Sequence, residues 1–338
     1  MKKIFTSVSP GFYKTKLFNE LSKKEDIFVI YTSDYDESSR NSDFLSGERD
    51  YGHMVLQGSK IRRVFSLVSV LLNTKLDELI IGGYDTLMCW IPLLFTKKKK
   101  CSLIIESTYR ETSVNGIRAF LKQLFLSRVS RVYAPGTPHA QLVKQFGFKK
   151  EIRIWKSVGL FNIVPQPSYQ KRNVVRNFLY VGRLIPVKNL PWLIALFSKH
   201  KELQLSIIGF GIQEEYLKSI VNTDNIHFIG AVENTELSNY YQSADVFVLP
   251  SLSETWGLVV EEALNNGCPV MCSNMVGSAD DLVLKPENGV VFKVNDVEDF
   301  EEKLMKICDI DYYNHIRENI SKMDFVQYEK SVVNAFVN

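Results

Sequence analysis

The sequence predicts an α/β fold of two doubly wound parallel-sheet domains. Three observations predict it: a length of 338 residues, which suits two domains; short apolar runs alternating with helix-like stretches in both halves; and a proline-bearing break between the halves. In the first half the runs are residues 3–8, 27–32, 79–81 and 103–106, separated by stretches such as 13–24 that have helical spacing. In the second half they are 178–181, 205–208, 226–229, 246–249 and 270–272. These last are almost continuously apolar, as strands buried on both faces require. Residues 157–172 carry Pro165 and Pro167 and follow neither periodicity. The expected boundary is near 165, with one domain over 1–165 and a second over 166–317.

Composition narrows the class. With 45% hydrophobic and 23% charged residues the chain is globular, not disordered or fibrous. The longest apolar stretches, 64–72 and 87–95, fall short of the ~20 residues of a membrane-spanning helix. The start Met1-Lys2-Lys3-Ile4-Phe5 runs into Thr6-Ser7 without the apolar core of a secretory signal, so a cytosolic chain is expected. Five cysteines (Cys89, Cys101, Cys268, Cys272, Cys308) without metal-ligand spacing suit a reducing compartment and predict no zinc site. The net charge of +3 is uneven: residues 1–170 hold 26 Lys+Arg against 15 Asp+Glu, or +11, and residues 171–338 hold 15 against 23, or −8.

Two doubly wound domains place a ligand at the carboxyl ends of their strands, in a cleft that the domains face. Four segments of the second half lie just after strands. Val181-Gly182-Arg183 continues to Lys188-Asn189 and a helix starting near Pro191, so two cations precede a helix N-terminus, where a diphosphate would be held; solvated loop cations are the plainer alternative. Gly209-Phe210-Gly211 ends a strand, but Glu214 stands where a dinucleotide fingerprint needs its third glycine, and no acid ends the next strand. A nicotinamide dehydrogenase is therefore disfavoured, and a tight turn admitting close backbone approach is expected instead.

The third segment runs from Val246 through Pro250, Glu254, Trp256 and Gly257 to Glu262, a strand, a polar turn and a helix expected to start near Trp256. Eight residues span at most ~12 Å of helix axis, about the reach from the sugar to the ribose of a nucleotide sugar, with the N–H groups of Gly257 and Leu258 between, so the spacing of Glu254 and Glu262 fits a bridging ligand. Helical phase puts Glu262 at the edge of the buried stripe and Glu261 nearly opposite it, which favours Glu262 for the ligand; two surface glutamates are the alternative. The fourth segment, 273–282, offers small residues around Gly277 and the carboxylates Asp280 and Asp281.

With these pieces in order, residues 178–292 resemble the retaining family-4 glycosyltransferases of the GT-B fold, which have two Rossmann-like domains facing a cleft. The resemblance rests on Val181-Gly182-Arg183-Leu184 followed by Lys188, on the strand ending in Gly209-Phe210-Gly211, on Phe228-Ile229-Gly230, on Ala244-Asp245 through Pro250-Ser251, on Glu254 and Glu262, on Gly267-Cys268-Pro269-Val270, and on Asn288-Gly289. It implies that Arg183 and Lys188 hold the diphosphate and that Glu262 bonds the ribose. Glu254 would hold the transferred sugar, helped by the backbone at Trp256, Gly257 and Leu258. Phe228, Ile229 and Gly230 would lie near the base, Gly277 in the late glycine loop, and Gly11 near the phosphates. A final helix over about 318–338 would return to the first domain.

The first half resembles the family only in general. Where many members carry a histidine beside the reacting sugar, this strand ends Glu106-Ser107-Thr108, and Glu106 is the candidate for that role, with a helix-start carboxylate as the alternative. The expected chemistry is hexosyl transfer from a nucleotide-sugar donor, a UDP-sugar ahead of a GDP-sugar, onto a lipid-linked or polysaccharide acceptor in cell-surface glycan assembly. No cofactor and no metal are expected. The competing expectation is a non-catalytic nucleotide-sugar-binding subunit or sensor. Asp34-Tyr35-Asp36 has the DxD form used for manganese in another glycosyltransferase fold and is read as a loop. The segments 60–72, 87–100 and 118–131 mix cations with large apolar side chains, predicting peripheral attachment to the anionic cytoplasmic leaflet; core helices with solvated basic faces are the alternative. No base-reading motif accompanies this charge, so no nucleic-acid partner is expected.

Overall fold

A computed structural model describes residues 2–32 and 47–337. Asp34-Tyr35-Asp36 lies outside the described residues. The chain forms two compact units, residues 1–160 with 327–338, and residues 161–326.

Unit 1 alternates strand and helix: β1 (Lys2–Ser7), α1 (Phe12–Ser22), β2 (Asp26–Tyr31), β3 (Gly52–Val55), α2 (Lys60–Asn73), β4 (Glu78–Gly82), α3 (Leu87–Phe95), β5 (Cys101–Ile104), α4 (Ile117–Ser127), β6 (Arg131–Ala134), α5 (Thr137–Gln145) and β7 (Glu151–Ile154). Its strands are all parallel in the order β3-β2-β1-β4-β5-β6-β7. Unit 2 holds β8 (Asn177–Val181), α6 (Leu190–Phe197), β9 (Gln204–Ile208), α7 (Glu214–Ile220), β10 (Ile226–Gly230), α8 (Leu237–Ser243), β11 (Val246–Leu249), α9 (Leu258–Asn265), β12 (Val270–Ser273), β13 (Gly289–Phe292), α10 (Val297–Cys308) and α11 (Ile310–Ser321). Its parallel order is β10-β9-β8-β11-β12-β13. α12 (Phe325–Asn334) closes the chain.

Both sheets are covered on two faces, which is why their central strands read as apolar runs. In unit 1, Leu67, Leu71, Ile91, Leu93, Phe125 and Leu126 from α2, α3 and α4 bury one face, and Leu17, Phe18 and Leu21 from α1 bury the other together with Val332, Val333 and Phe336. Phe336 stacks on Tyr133 with centroids 4.5 Å apart and meets Trp155 edge-on at 4.8 Å. The buried Lys3 ammonium is satisfied by Glu25 at 3.0 Å and by the Phe336 carbonyl.

The returning segment is shorter than the 318–338 expected. α11 stays with unit 2, where the Tyr313 hydroxyl donates to the Asp245 carbonyl at 2.8 Å and Ile316 and Ile320 are buried. Only the chain beyond 326 joins unit 1. In each sheet the strand order reverses direction beside the first strand, between β1 and β4 and between β8 and β11. At such a switch point the flanking loops diverge to opposite faces and leave room for a ligand at the carboxyl edge.

Candidate functional site

The loops after the five strands β12, β11, β8, β9 and β10 are hydrogen-bonded into one continuous rim on the carboxyl edge of sheet 2. After β12, the Glu254 N–H donates to the Met275 carbonyl at 3.2 Å and the Gly277 N–H to the Glu254 carbonyl at 2.8 Å. The loop after β11 is tied to the turn after β8 by the Leu252 N–H and the Val187 carbonyl at 2.8 Å. That turn meets the loop after β9 through Leu184 N–H and Phe210 carbonyl at 2.8 Å, and the Gly209 N–H reaches the Gly230 carbonyl of β10 at 2.8 Å.

Two glycines are required for this stitching. A Cβ on Gly277 would lie 1.8 Å from the Thr255 carbonyl oxygen, and one on Gly209 would lie 1.9 Å from the Gly182 carbonyl oxygen. The Gly209-Phe210-Gly211 turn therefore exists to admit the backbone of 182–184, as the missing third glycine suggested.

Within the rim Lys188 ends a short helical turn, Pro186–Lys188, and donates to the Glu254 carboxylate. Both side chains are largely shielded from solvent, at 14% and 18% exposure, so their attraction is screened less than that of a surface pair. Arg183 is exposed and forms no ion pair among the described residues. Its carbonyl accepts from the buried Tyr180 hydroxyl at 2.9 Å. Burial and the nearby Glu254 push that phenol well above its ordinary range, with Arg183 opposing, so Tyr180 remains a neutral donor.

α9 starts at Leu258, two residues later than expected. The left-handed Gly257, φ 92°, replaces the Ser or Thr cap. Its N-terminus is open: the amides of Gly257, Leu258 and Val259 have no acceptor among the described residues, as the first turn of a helix leaves them. A Cβ on Gly257 would be 3.3 Å from Glu254 Cγ, which places these amides against the Lys188–Glu254 pair. Arg183, Lys188 and this open helix N-terminus thus share one loop cluster, an arrangement that could receive an anion.

Glu262 lies one turn into α9, half-buried, and accepts from the Tyr241 hydroxyl at 3.2 Å. Burial pushes its carboxyl up to about 7, against the pull of that hydroxyl. Glu261 departs from the helical-phase expectation: it is buried, because Trp256 folds beneath the helix and donates its indole N–H to the Glu261 carboxylate. Trp256 is thus a structural anchor of the loop, with its carbonyl accepting from the Ser278 N–H at 3.0 Å. Phe228, Ile229 and Gly230 occupy the carboxyl end of the edge strand β10, with a bulge between Phe228 and Gly230. Asp281 falls in a π-helical turn, Ala279–Leu284, paired with Lys285 at 3.1 Å.

In unit 1, Gly11 is the N-cap of α1 and Glu106 follows β5. Glu106 is bonded to Lys14 of α1 at 3.0 Å. The Lys14 ammonium holds its carboxyl below the usual range, so it is an ionised carboxylate. The pair lines a cavity at the carboxyl edge of sheet 1 with Ser7, Gly82, Pro135 and Trp155. Lys14, Tyr180 and Tyr241 were not singled out from the sequence; Lys14 lies one turn past Gly11, and the two tyrosines carry no motif. Among the described residues no three His, Cys, Asp or Glu side chains gather as metal ligands would, and no helix is long and apolar enough to cross a membrane.

Residues 166–323, within unit 2, match the family model of the glycosyl transferases group 1. The match takes in almost the whole of the second unit and a little under half of the chain. Sulfoquinovosyl transferase SQD2 of Arabidopsis thaliana is 36% identical over 154 residues, 45% of this chain and 30% of that protein. The chain thus spans under a third of that relative's length. Over the whole fold it superposes on the apo form of the lipopolysaccharide outer core galactosyltransferase WaaB with a TM-score of 0.74 at 19% identity, covering 99% of both chains. It superposes on Anabaena HepE in complex with UDP with a TM-score of 0.71 at 15% identity, covering 98% of both. The fold is GT-B, two Rossmann-like parallel-sheet domains.

Proposed function

We propose that the chain is a retaining, metal-independent glycosyltransferase that moves a hexose from a nucleotide diphosphate, UDP ahead of GDP, to a glycan acceptor. The observation that carries this reading is the Lys188–Glu254 pair set against the open N-terminus of α9. The same cluster offers cations and amides for a diphosphate and a carboxylate for sugar hydroxyls. Glu262 would accept from the ribose diol, and residues 228–230 would border the base. UDP in the HepE structure supports the nucleotide class.

Transfer breaks the bond from the anomeric carbon to the diphosphate oxygen and forms one to the acceptor hydroxyl oxygen, whose proton passes to the departing diphosphate. Negative charge grows on the departing oxygen, so the main catalytic requirement is donors fixed on the phosphates. Arg183, Lys188 and the α9 amides would supply such donors, and loss of one typically costs about 2.7 to 4 kcal/mol. Glu106, kept ionised by Lys14, is assigned to the acceptor hydroxyl. Retention rests on the family resemblance. The acceptor is assigned to cell-surface glycan assembly, lipid-linked or polymeric, at the cytoplasmic face of the membrane, in keeping with the lipopolysaccharide role that the name of WaaB states.

Slow hydrolysis of a panel of nucleotide sugars by the pure protein tests the reading. One donor is expected to be consumed, Arg183→Ala and Lys188→Ala to lose activity while remaining folded, and chelator to have no effect. Binding without turnover of any donor would instead favour a nucleotide-sugar sensor.

A further inference from the structure

The helices α2, α3 and α4 form one layer over sheet 1, with α3 and α4 joined by Trp90 against Phe125 at 5.1 Å and by the Arg128 guanidinium on the Leu93 carbonyl at 3.0 Å. A helix in such a layer needs one apolar stripe, directed inward. These have two. In α4 the inward side chains are Ala119, Phe125 and Leu126, yet Ile117, Phe120, Leu121 and Leu124, at i, i+3, i+4 and i+7, point outward. In α2, Leu67 and Leu71 face the core while Ile61, Phe65 and Leu72 are outside.

The outward side chains are among the most exposed apolar groups of the described residues: Ile117 is 78% exposed, Leu94 of α3 75% and Phe65 71%. Among the described residues, ten of the 22 exposed large apolar side chains lie on these three helices, a concentration that marks an interaction surface.

The charge of this face identifies the occupant. The segments 60–73, 87–100 and 117–128 contain no Asp or Glu. Lys60, Arg62, Lys97, Lys98, Lys99 and Arg118 border the stripes and form no ion pair among the described residues. A protein surface or a second copy would be expected to answer such cations with carboxylates, and this face offers none to itself. An anionic lipid surface supplies both halves of the complement, phosphate headgroups for the cations and acyl chains for the stripes.

We propose that the α2–α3–α4 face of unit 1 is a docking surface for an anionic bilayer, with all three helices lying in the interface. Each helix begins at the carboxyl edge of sheet 1, the edge that holds Glu106. A lipid-linked acceptor would therefore be presented on the side where this unit's carboxylate stands. That last step rests on the transfer reading; the docking itself does not.

The test is co-sedimentation of the full chain, without sugar donor, with vesicles of pure phosphatidylcholine and of phosphatidylcholine with phosphatidylglycerol. Binding is expected only to the anionic vesicles and is expected to weaken at high salt. Arg62→Gln with Arg118→Gln is expected to lower partitioning on the order of 10-fold, and Phe65→Ser with Phe120→Ser to lower it at least as much, with unchanged thermal unfolding and unchanged UDP binding. Equal binding to both vesicle types, or unaltered binding of the phenylalanine pair variant, would overturn the proposal. So would a dimer in sedimentation velocity that the same variant dissociates, because the face would then belong to a second copy.

Discussion

Units 1 and 2 thread their first six strands in the same spatial order, third-second-first-fourth-fifth-sixth, and both have a switch point beside their first strand. They differ in what surrounds that frame. Unit 2 invests its loops: five are stitched into one rim around Lys188 and Glu254, with close backbone contacts that only glycine permits. Unit 1 sets the Lys14–Glu106 pair over its cavity, and its distinguishing feature lies on a flank, the acid-free face of α2, α3 and α4. A shared fold thus fixes where a ligand can sit, and the loops and outer faces decide what sits there.

If the units divide the work in this way, damage to one should leave the function of the other measurable. The largest effect is expected from Phe336→Ala, which removes the ring packed on Tyr133 and Trp155. Unit 1 should lose about 3 to 5 kcal/mol of stability, while UDP binding, read calorimetrically below the new transition, persists. Gly277→Ala should act in the reverse sense. Its Cβ collides with the Thr255 carbonyl at 1.8 Å, and relieving an overpacked contact costs about 1 to 3 kcal/mol. Loss of nucleotide binding with vesicle binding intact would keep the division; loss of both would break it.

Glu262 sharpens the comparison through pH. Its folded carboxyl titrates near 7 and the free side chain near 4.5, so the folded state binds the extra proton between these values. The penalty of ionising it is absent below about pH 4.5 and fully present above pH 7. Glu262→Gln should therefore stabilise unit 2 above pH 7 by up to about 3 kcal/mol and change nothing near pH 4.5. Nucleotide affinity should fall in the wild type as pH drops through 7, because the protonated carboxyl accepts poorly from the ribose diol. The Gln variant should bind weakly with a flat profile. The smallest effect is expected from Glu106→Gln: a fall in transfer rate without change in donor Kd, read by varying acceptor and donor separately.

Most of the frame was legible because parallel strands buried on both faces have little choice but apolar runs. Val246–Leu249 and Phe178–Val181 stand within a residue of their expected bounds. The strands that went unread were Gly52–Val55, Arg131–Ala134, Glu151–Ile154 and Gly289–Phe292; the first and third are partly exposed edge strands, so burial does not purify their composition. At the rim, spacing located Lys188 and Glu254 but not the bond between them, since two loops separated by 66 residues meet only through the sheet. Helical phase misplaced Glu261 because a tryptophan outside the helix covers it. No local pattern announces Tyr241, which acts on Glu262 from another helix.

The central claim is that the cations of unit 2 grip a diphosphate. Titration calorimetry of UDP and of uridine against wild type and Lys188→Ala measures this directly. The account predicts that the variant loses UDP affinity by at least 10-fold, the 1.4 kcal/mol step, while its weak affinity for uridine is unchanged. Equal UDP affinity in the two proteins would contradict it.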